Sequence, residues 1–380
     1  MTRIFLIRHG EAEGNLFRRC QGQFNAPLTR RGRQQAEYLT PRFADIPVDA
    51  AFSSDLRRAF ETTCAAMRRC GVDVIPDKRL REISCGAWED RAWGDIRYTC
   101  PREMDAFFHD PERCTVTESF TALGRRMKEA VLDYAARYPD GTVVLGSHGM
   151  AIRTLLADLQ GVGSADIDSL PIQENTAVSL LTADHGVIRI EYQNDYSHLP
   201  SGLLPAGAGD IALRARVRGD RNLRYEPLDV QAEESRSFFL RCYADAWQTA
   251  HGNLDGFDPG ALWTAAACRA LRSPGSLQAA YLGEERVGLL ALDEQHGKRQ
   301  GIGWVAFCYV LPAMRGRRFG TQLMGAAISR YRHMGRRTLQ LCVAPENPAL
   351  SFYGWLGMRE CGVMDGATEP LLIMERDISL

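Results

Sequence analysis

Thr2-Arg3-Ile4-Phe5-Leu6-Ile7-Arg8-His9-Gly10-Glu11 is an apolar run bounded by arginines and closed by a His-Gly pair. A short apolar run ending on glycine reads as a buried strand, Arg3–Ile7. Outward from it, short apolar runs alternate with helical patterns. Gly32–Thr40 and Leu56–Arg69 read as helices, with Ala50–Ser53 a short strand ahead of the second. Ser119–Tyr138 is a long amphipathic helix and Thr142–Ser147 an apolar strand. Such alternation predicts a mostly parallel sheet sandwiched by helices, whose sites lie at the carboxyl ends of the strands. Both His-Gly pairs, His9-Gly10 and His148-Gly149, fall there.

The chain has 380 residues, 45% hydrophobic and 24% charged, the range of globular rather than disordered or fibrous chains. This length suggests two domains. Pro200, Gly202, Pro205, Gly207 and Gly209 punctuate a stretch poor in large apolar residues. The expected organisation is a domain over 1–200, a linker over 201–221 and a second domain over 222–380. With Lys+Arg at 46 and Asp+Glu at 47, the net charge of −1 excludes a general bias toward nucleic acid or membrane surfaces. The first apolar run is too short for a signal peptide, and no run reaches the ~18 apolar residues of a membrane span. The 11 cysteines are odd in number and contain no Cys-x-x-Cys, so reduced thiols and a cytoplasmic location are expected.

His9 alone is most simply a buried, hydrogen-bonded histidine. Its companions change that reading. Ser53-Ser54-Asp55-Leu56-Arg57-Arg58 puts serines and an arginine at a strand-to-helix junction. Leu80-Arg81-Glu82-Ile83-Ser84-Cys85-Gly86 offers an acid beside a turn, and Gly146-Ser147-His148-Gly149 a second histidine. Together they supply a nucleophile, cations for a dianion and a proton donor. The set resembles the histidine phosphatase superfamily, the phosphoglycerate-mutase-like fold, over roughly residues 1–200. The resemblance implies that His9 takes the phosphoryl group, that Arg8, Arg58 and His148 hold its oxygens, and that Glu82 protonates the leaving oxygen. Asn15 matches an asparagine following the first motif and joins the phosphate-binding set. Asn25 stands where an aspartate is frequent. No metal is implied, because arginines meet the charge. Arg57 is expected to face solvent, Cys85 to pack, and His109, His185 and His198 to be surface or loop residues. The segment Trp93–Thr117, with Trp93, Tyr98, Phe107 and Phe108, is expected to cover the site, a small local core being its other reading. The compact domain favours hydrolysis over mutase chemistry, on analogy with α-ribazole and sugar-phosphate phosphatases.

The second half reads as helices Glu233–Trp247 and Pro259–Leu271, then strands Leu277–Leu282, Arg286–Asp293 and Gly301–Leu311. Helix Gly320–Met334, strand Thr338–Val343 and short helix Ala349–Trp355 follow, a mixed α/β (α+β) design. The strand into Val310 leads through Arg315-Gly316-Arg317-Arg318-Phe319-Gly320-Thr321 to a helix start, where backbone N–H groups suit phosphate. Asn347, Phe352, Tyr353 and Gly357 follow. The pair resembles the GNAT superfamily of N-acetyltransferases, with Arg318 replacing the middle glycine of the loop motif. The resemblance implies acetyl-CoA along Tyr309-Val310-Leu311, its pyrophosphate on amides from Arg315 to Thr321, a contact from Asn347, and Tyr353 as proton donor to the thiolate. The acceptor pocket would come from the first two helices and the loop Gly252–Pro259, with Trp247, Phe257 and Trp263 as candidates. No base is evident; water or an unidentified glutamate would take the amine's proton.

The expected protein is therefore a bifunctional enzyme acting on a small phosphomonoester and an amine, with no nucleic-acid or membrane partner and a homodimer left open. The alternatives are a phosphatase regulated by a non-catalytic acyl-CoA sensor, or a phosphoglycerate-mutase-type phosphotransferase. RNA binding by an arginine-rich surface is disfavoured by the charge balance.

Overall fold

The computed structural model describes residues 1–204, 221–366 and 369–380. The chain divides into two compact units, Met1–Arg91 with Ile96–Gly219, and Asp220–Leu380 with Ala92–Asp95. Of the expected linker, 205–220 lies outside the described residues.

The first unit is built on β1 (Thr2–Arg8), in which every residue but Thr2, Arg3 and Arg8 is apolar and buried. Around it lie β2 (Ala50–Ser53), β3 (Val74–Pro76), β4 (Thr142–Ser147), β5 (Val178–Asp184) and β6 (Val187–Asp195), in the order β3-β2-β4-β1-β5-β6. The pairs β3–β2, β2–β4 and β4–β1 are parallel, whereas β1–β5 and β5–β6 are antiparallel. The β5–β6 hairpin turns on His185-Gly186, both at positive φ (47° and 80°), as a two-residue turn of the primed type requires. The register sets Arg8 opposite Ser147 and Ser53 opposite Gly146, so three strands end on one row.

Helices α1 (Glu13–Phe17), α2 (Arg30–Glu37), α3 (Leu39–Phe43), α4 (Arg57–Met67), α5 (Trp93–Thr99), α6 (Pro101–His109), α7 (Phe120–Arg137) and α8 (Gly149–Leu159) follow in chain order. Thr29 caps α2 through the Gly32 N–H at 2.9 Å, and Ser119 caps α7 through Ala122 at 3.1 Å. The helix expected over 32–40 is two helices, because Pro41 has no N–H and its ring would press on the Glu37 carbonyl in a continuous helix. Phe5, Ile7, Leu39, Phe43, Ala66, Met67 and Val144 share one core, with Phe5 and Phe43 edge to face at 5.4 Å. In the segment 93–117, Phe107 packs within 6 Å of Trp88 and Phe120 (5.9 and 5.6 Å), the local core, while Tyr98 and Phe108 are exposed.

The second unit carries β7 (Arg224–Pro227), α9 (Glu233–His251), α10 (Pro259–Arg272), β8 (Leu277–Leu282), β9 (Glu285–Asp293), β10 (Ile302–Val310), α11 (Phe319–His333), β11 (Thr338–Val343), α12 (Ala349–Trp355), β12 (Arg359–Met364) and β13 (Leu371–Asp377). Its sheet runs β12-β13-β11-β10-β9-β8-β7. Strands β8 to β10 form an antiparallel meander, and α11 carries the chain across to the parallel strand β11. The parallel pairing covers Ile302–Val305 against Thr338–Leu341, while β10 shifts register against β9 between Val305 and Phe307. The last residues of β10 pair with β9, and those of β11 with β13, so the sheet parts between them. No helix among the described residues is long and apolar enough to cross a membrane.

Gly146 is where α4 meets β4: a Cβ there would overlap the Thr63 hydroxyl and crowd that of Ser53. Gly146→Ala is expected to cost about 1–3 kcal/mol, read as a lower urea midpoint at unchanged m-value. An unchanged midpoint would mean that α4 can shift freely against the sheet.

Candidate functional site

The aligned strand ends bring His9 and His148 together. Their ring centroids lie 5.2 Å apart at a tilt of 59°, and both side chains are buried. The His9 backbone is pinned: its N–H donates to the Ser147 carbonyl at 3.1 Å, and its carbonyl accepts from Asn175 Nδ2 at 3.0 Å. His9 Nδ1 lies 2.7 Å from the Gly10 carbonyl, which can only accept, so Nδ1 carries the proton and Nε2 the lone pair. Burial, and then the charges of Arg58 and Arg8, hold the His9 pKa well below its ordinary value. His148 is held low by burial first and Arg58 next. Both imidazoles are therefore neutral near pH 7. Ser54 Oγ lies 2.8 Å from His148 Nε2 and accepts the Leu56 N–H at 3.3 Å. His148 Nδ1 is a buried atom with no hydrogen-bond partner among the described residues.

Arg58, on the first turn of α4, is fully buried. It donates to the carbonyls of Phe24 (2.8 Å) and Gly22 (2.7 Å), and its Nε has no acceptor among the described residues. Burial lowers its pKa to about 10, so it keeps its charge at neutral pH. Arg8 donates to the Gln173 carbonyl. Thr62, one turn along α4, donates to the Arg58 carbonyl and accepts the Gly10 N–H at 3.0 Å, tying the two arms of the site together.

Glu82 reaches the N-terminus of α8. Its carboxylate accepts N–H groups from Ala151 (2.9 Å), Met150 (3.2 Å) and its neighbour Ile83 (3.1 Å). Arg126 on α7 donates to the carbonyls of Arg79, Arg81 and Glu82 and pairs with Glu118 at 2.7 Å. Glu89 Oε1 accepts from the amides of Gln23 and Cys85, stapling the Gly22 loop to the Glu82 loop. Arg126, Thr62 and Asn175 belong to no motif visible in the sequence. They are found only once α4, α7 and the turn before β5 converge.

Asn15 is exposed on α1, where its Oδ1 accepts the Ala12 N–H at 3.0 Å, outside the buried cluster. Asn25 Oδ1 accepts the Arg57 N–H at 2.8 Å, so the amide caps α4. Arg57 is exposed and pairs with Glu61, Cys85 is buried, and His109 and His185 are exposed. His198 lies in a turn, as expected of a surface or loop residue, but is half-buried. Its Nδ1 accepts from Arg42 (3.1 Å), its Nε2 lies 3.2 Å from Thr176 Oγ1, and burial lowers its pKa to about 4.

In the second unit a cavity of about 720 Å³ opens where β10 and β11 part. Val310, Arg315, Gly316, Arg318, Phe319, Gly320, Thr321, Asn347 and Tyr353 line it, whereas Arg317 does not and stacks its guanidinium on Phe319 at 5.1 Å. Gly316 and Arg318 both take positive φ (74° and 64°), so Arg318 holds the left-handed backbone that glycine adopts without strain. The N-cap residue of α11, Arg318, makes no side-chain capping bond, so its first N–H groups face the loop side uncapped by it. Gly320 lies against Phe352, with room for a Cβ only at 3.3 Å. Arg315 pairs with Asp245 (3.0 Å), which also accepts from the Tyr309 hydroxyl at 2.5 Å. Asn347 Oδ1 accepts the Ala349 N–H at 2.9 Å, and burial pushes the Tyr353 phenol pKa up. Trp247 lines the cavity with Phe257 against it, while Trp263 packs on Phe239 in the core.

Comparison with known proteins gives two domain matches: the histidine phosphatase superfamily (branch 1) over residues 4–196, and the acetyltransferase (GNAT) family over residues 233–358. The chain is 34% identical over 215 residues to the probable phosphoglycerate mutase GpmB of Yersinia pestis, spanning 56% of this chain and 94% of that protein. The corresponding protein of Yersinia pseudotuberculosis matches to the same extent. Among solved structures, YhfR of Bacillus stearothermophilus is 32% identical with a TM-score of 0.50, covering 52% of this chain and 99% of YhfR. The chain belongs to the histidine phosphatase superfamily (branch 1), joined in one polypeptide to a domain of the acetyltransferase (GNAT) family.

Proposed function

We propose that the first unit hydrolyses a small phosphomonoester through a phosphohistidine on His9, and that the second moves an acetyl group from acetyl-CoA to an amine. The observation that carries the first half is the buried, neutral His9 with its Nδ1 proton tied to Gly10, which leaves the Nε2 lone pair for phosphorus. Nε2 attacks in line, the P–O bond to the leaving oxygen breaks, and Arg8 and Arg58 hold the equatorial charge. His148 Nδ1 and Arg58 Nε are the spare donors for those oxygens. Glu82 gives its proton to the leaving oxygen. Water then attacks the phosphohistidine, Glu82 takes the water proton, and phosphate leaves with His9 restored. With arginines meeting the charge, this route needs no metal.

The name shared by the Yersinia relatives favours a second reading, in which the phosphoryl group returns to the substrate instead of passing to water. The assay for both is phosphate release from a panel of phosphorylated metabolites, with product isomers followed in parallel. His9→Ala is expected to fall below ~10⁻³ of the wild-type rate, and Glu82→Gln by ~10²–10⁴-fold, with chelator changing neither. Equal release from wild type and His9→Ala would overturn the assignment. Isomer formation without release would select the mutase reading.

For the second unit, acetyl-CoA supplies a thioester-activated acetyl group. The uncapped start of α11, the turn at Gly316 and Arg318, and the cavity along β10 suit a pyrophosphate and a chain leading inward. Asn347 lines the path, and the Tyr353 phenol, kept protonated by burial, can give its proton to sulfur. Acetyl-CoA is expected to bind in calorimetry, and Tyr353→Phe to keep binding while losing ~10²-fold or more in transfer. Binding with no transfer to amine or water would make this domain a sensor.

Stability should depend on pH through the buried histidines. His9, His148 and His198 have lowered folded-state pKa values, so the unfolded chain binds more protons below about pH 6.5. Stability is therefore present above that pH and lost as pH falls toward the folded-state values, about 4 for His198. Allowing for partial exposure, His198→Gln should remove about 1 kcal/mol of the loss between pH 7 and 5, measured by urea unfolding. An identical pH slope in the variant would show that His198 is not buried neutral.

A further inference from the structure

Acetyl transfer to an amine needs a group that takes a proton, and the structure offers one the sequence did not reveal. His251 is the last residue of α9 and lines the cavity shared with Tyr353. Its Nδ1 lies 3.3 Å from Glu369 Oε1, with His251 mostly buried and Glu369 partly so. The ring stands 4.8 Å from Trp247, which is itself fixed by its Nε1–H donating to the Asp255 carbonyl at 3.1 Å. A carboxylate on Nδ1 orients an imidazole, puts the proton on that nitrogen and makes Nε2 the basic one.

The other groups around the cavity are unsuited. Burial raises the pKa values of Tyr243, Tyr309, Tyr353, Cys308 and Cys342, so they keep their protons. The arginines are cations. Asp245 is already engaged by the Tyr309 hydroxyl and by Arg315. His251 is the histidine among the lining residues, and it sits at the end of α9.

We propose that His251, positioned by Glu369, is the catalytic base that deprotonates the incoming alkylammonium. This rests on the acetyl-transfer reading of the second unit. His251 Nε2 takes one proton from the ammonium, and the neutral nitrogen bonds to the acyl carbon. As the carbon–sulfur bond breaks, its electron pair goes to sulfur and Tyr353 gives that sulfur its proton. The nitrogen sheds its second proton, which restores the Tyr353 phenol, and His251 passes the first to water. One ammonium and one thioester thus give one amide, one thiol and one proton.

The test uses the full chain, acetyl-CoA and two probe amines: 2-phenylethylamine, protonated near neutral pH, and aniline, already neutral. Water serves as a third acceptor. His251→Gln should bind acetyl-CoA as wild type does in calorimetry. It should lose ~10²-fold or more in kcat/KM toward 2-phenylethylamine, and change within about threefold toward aniline. Glu369→Gln should lose about tenfold toward 2-phenylethylamine only. In ¹⁵N-histidine NMR without any ligand, its His251 signal should move from the Nδ1–H tautomer to a mixture. Equal losses on both amines would make His251 a structural residue and overturn the proposal, as would no loss on either or an unmoved tautomer. Acetyl-CoA binding without transfer to any acceptor, water included, would also remove the role. Failure of wild type to bind acetyl-CoA would instead sink the acetyl-transfer reading, which calorimetry detects separately.

Discussion

The parallel pairing of β1 with β4, in the register that sets Arg8 opposite Ser147, is the constraint on which the first site depends. A parallel ladder makes two strands end side by side and in the same direction. The residues just past those ends, His9 and His148, are thereby neighbours although 139 positions apart in the chain. β2 joins β4 in matching register, so Ser54 and the start of α4 arrive on the same edge. A shift of one residue in β1 would swap its side chains between the two covered faces of the sheet and remove His9 from the pair. The buried run Ile4–Ile7 therefore fixes both the core and the position of His9.

This placement works against the solvation of the groups it uses. Arg58 is a fully buried cation that donates to two backbone carbonyls, and the two histidines are buried without charge. Burial, more than any neighbour, sets the direction of their pKa values. Fixed donors and cations in a buried site are the condition for strong electrostatic stabilisation of transferred charge. Backbone groups carry much of the work: Gly10 orients His9, the first amides of α8 hold Glu82, and Gly22 and Phe24 hold Arg58.

The second unit solves a different problem by letting its sheet come apart. β10 and β11 pair only at their first residues, and the register shift after Val305 turns the remainder of β10 toward β9. The opening leaves a cavity where the two strands part, and Tyr353, Cys342 and Phe307 are among its walls. Arg318 departs from the glycine of the loop motif, yet its φ of 64° is the conformation glycine would supply. The side chain changed while the backbone requirement remained.

The sequence by itself determined the strands with continuous apolar runs, the two-domain division of composition, and the motif residues His9, Arg58, Glu82, His148 and Tyr353. These are local signals: apolar periodicity, turn residues and short spacings act within a few residues. Tertiary structure decided what local signals cannot carry. Strands β3, β5, β6, β7, β12 and β13 escaped the reading, and β3, β6, β7 and β12 are sheet edges whose residues are mostly half-buried or exposed. The break at Tyr38 followed from one proline, and His198 is half-buried with hydrogen-bond partners in Arg42 and Thr176. Arg126, Thr62 and the pair His251–Glu369 come together from segments far apart in the chain. Their contacts depend on strand order and helix docking, which are settled by burying the whole core at once and by no single stretch of residues.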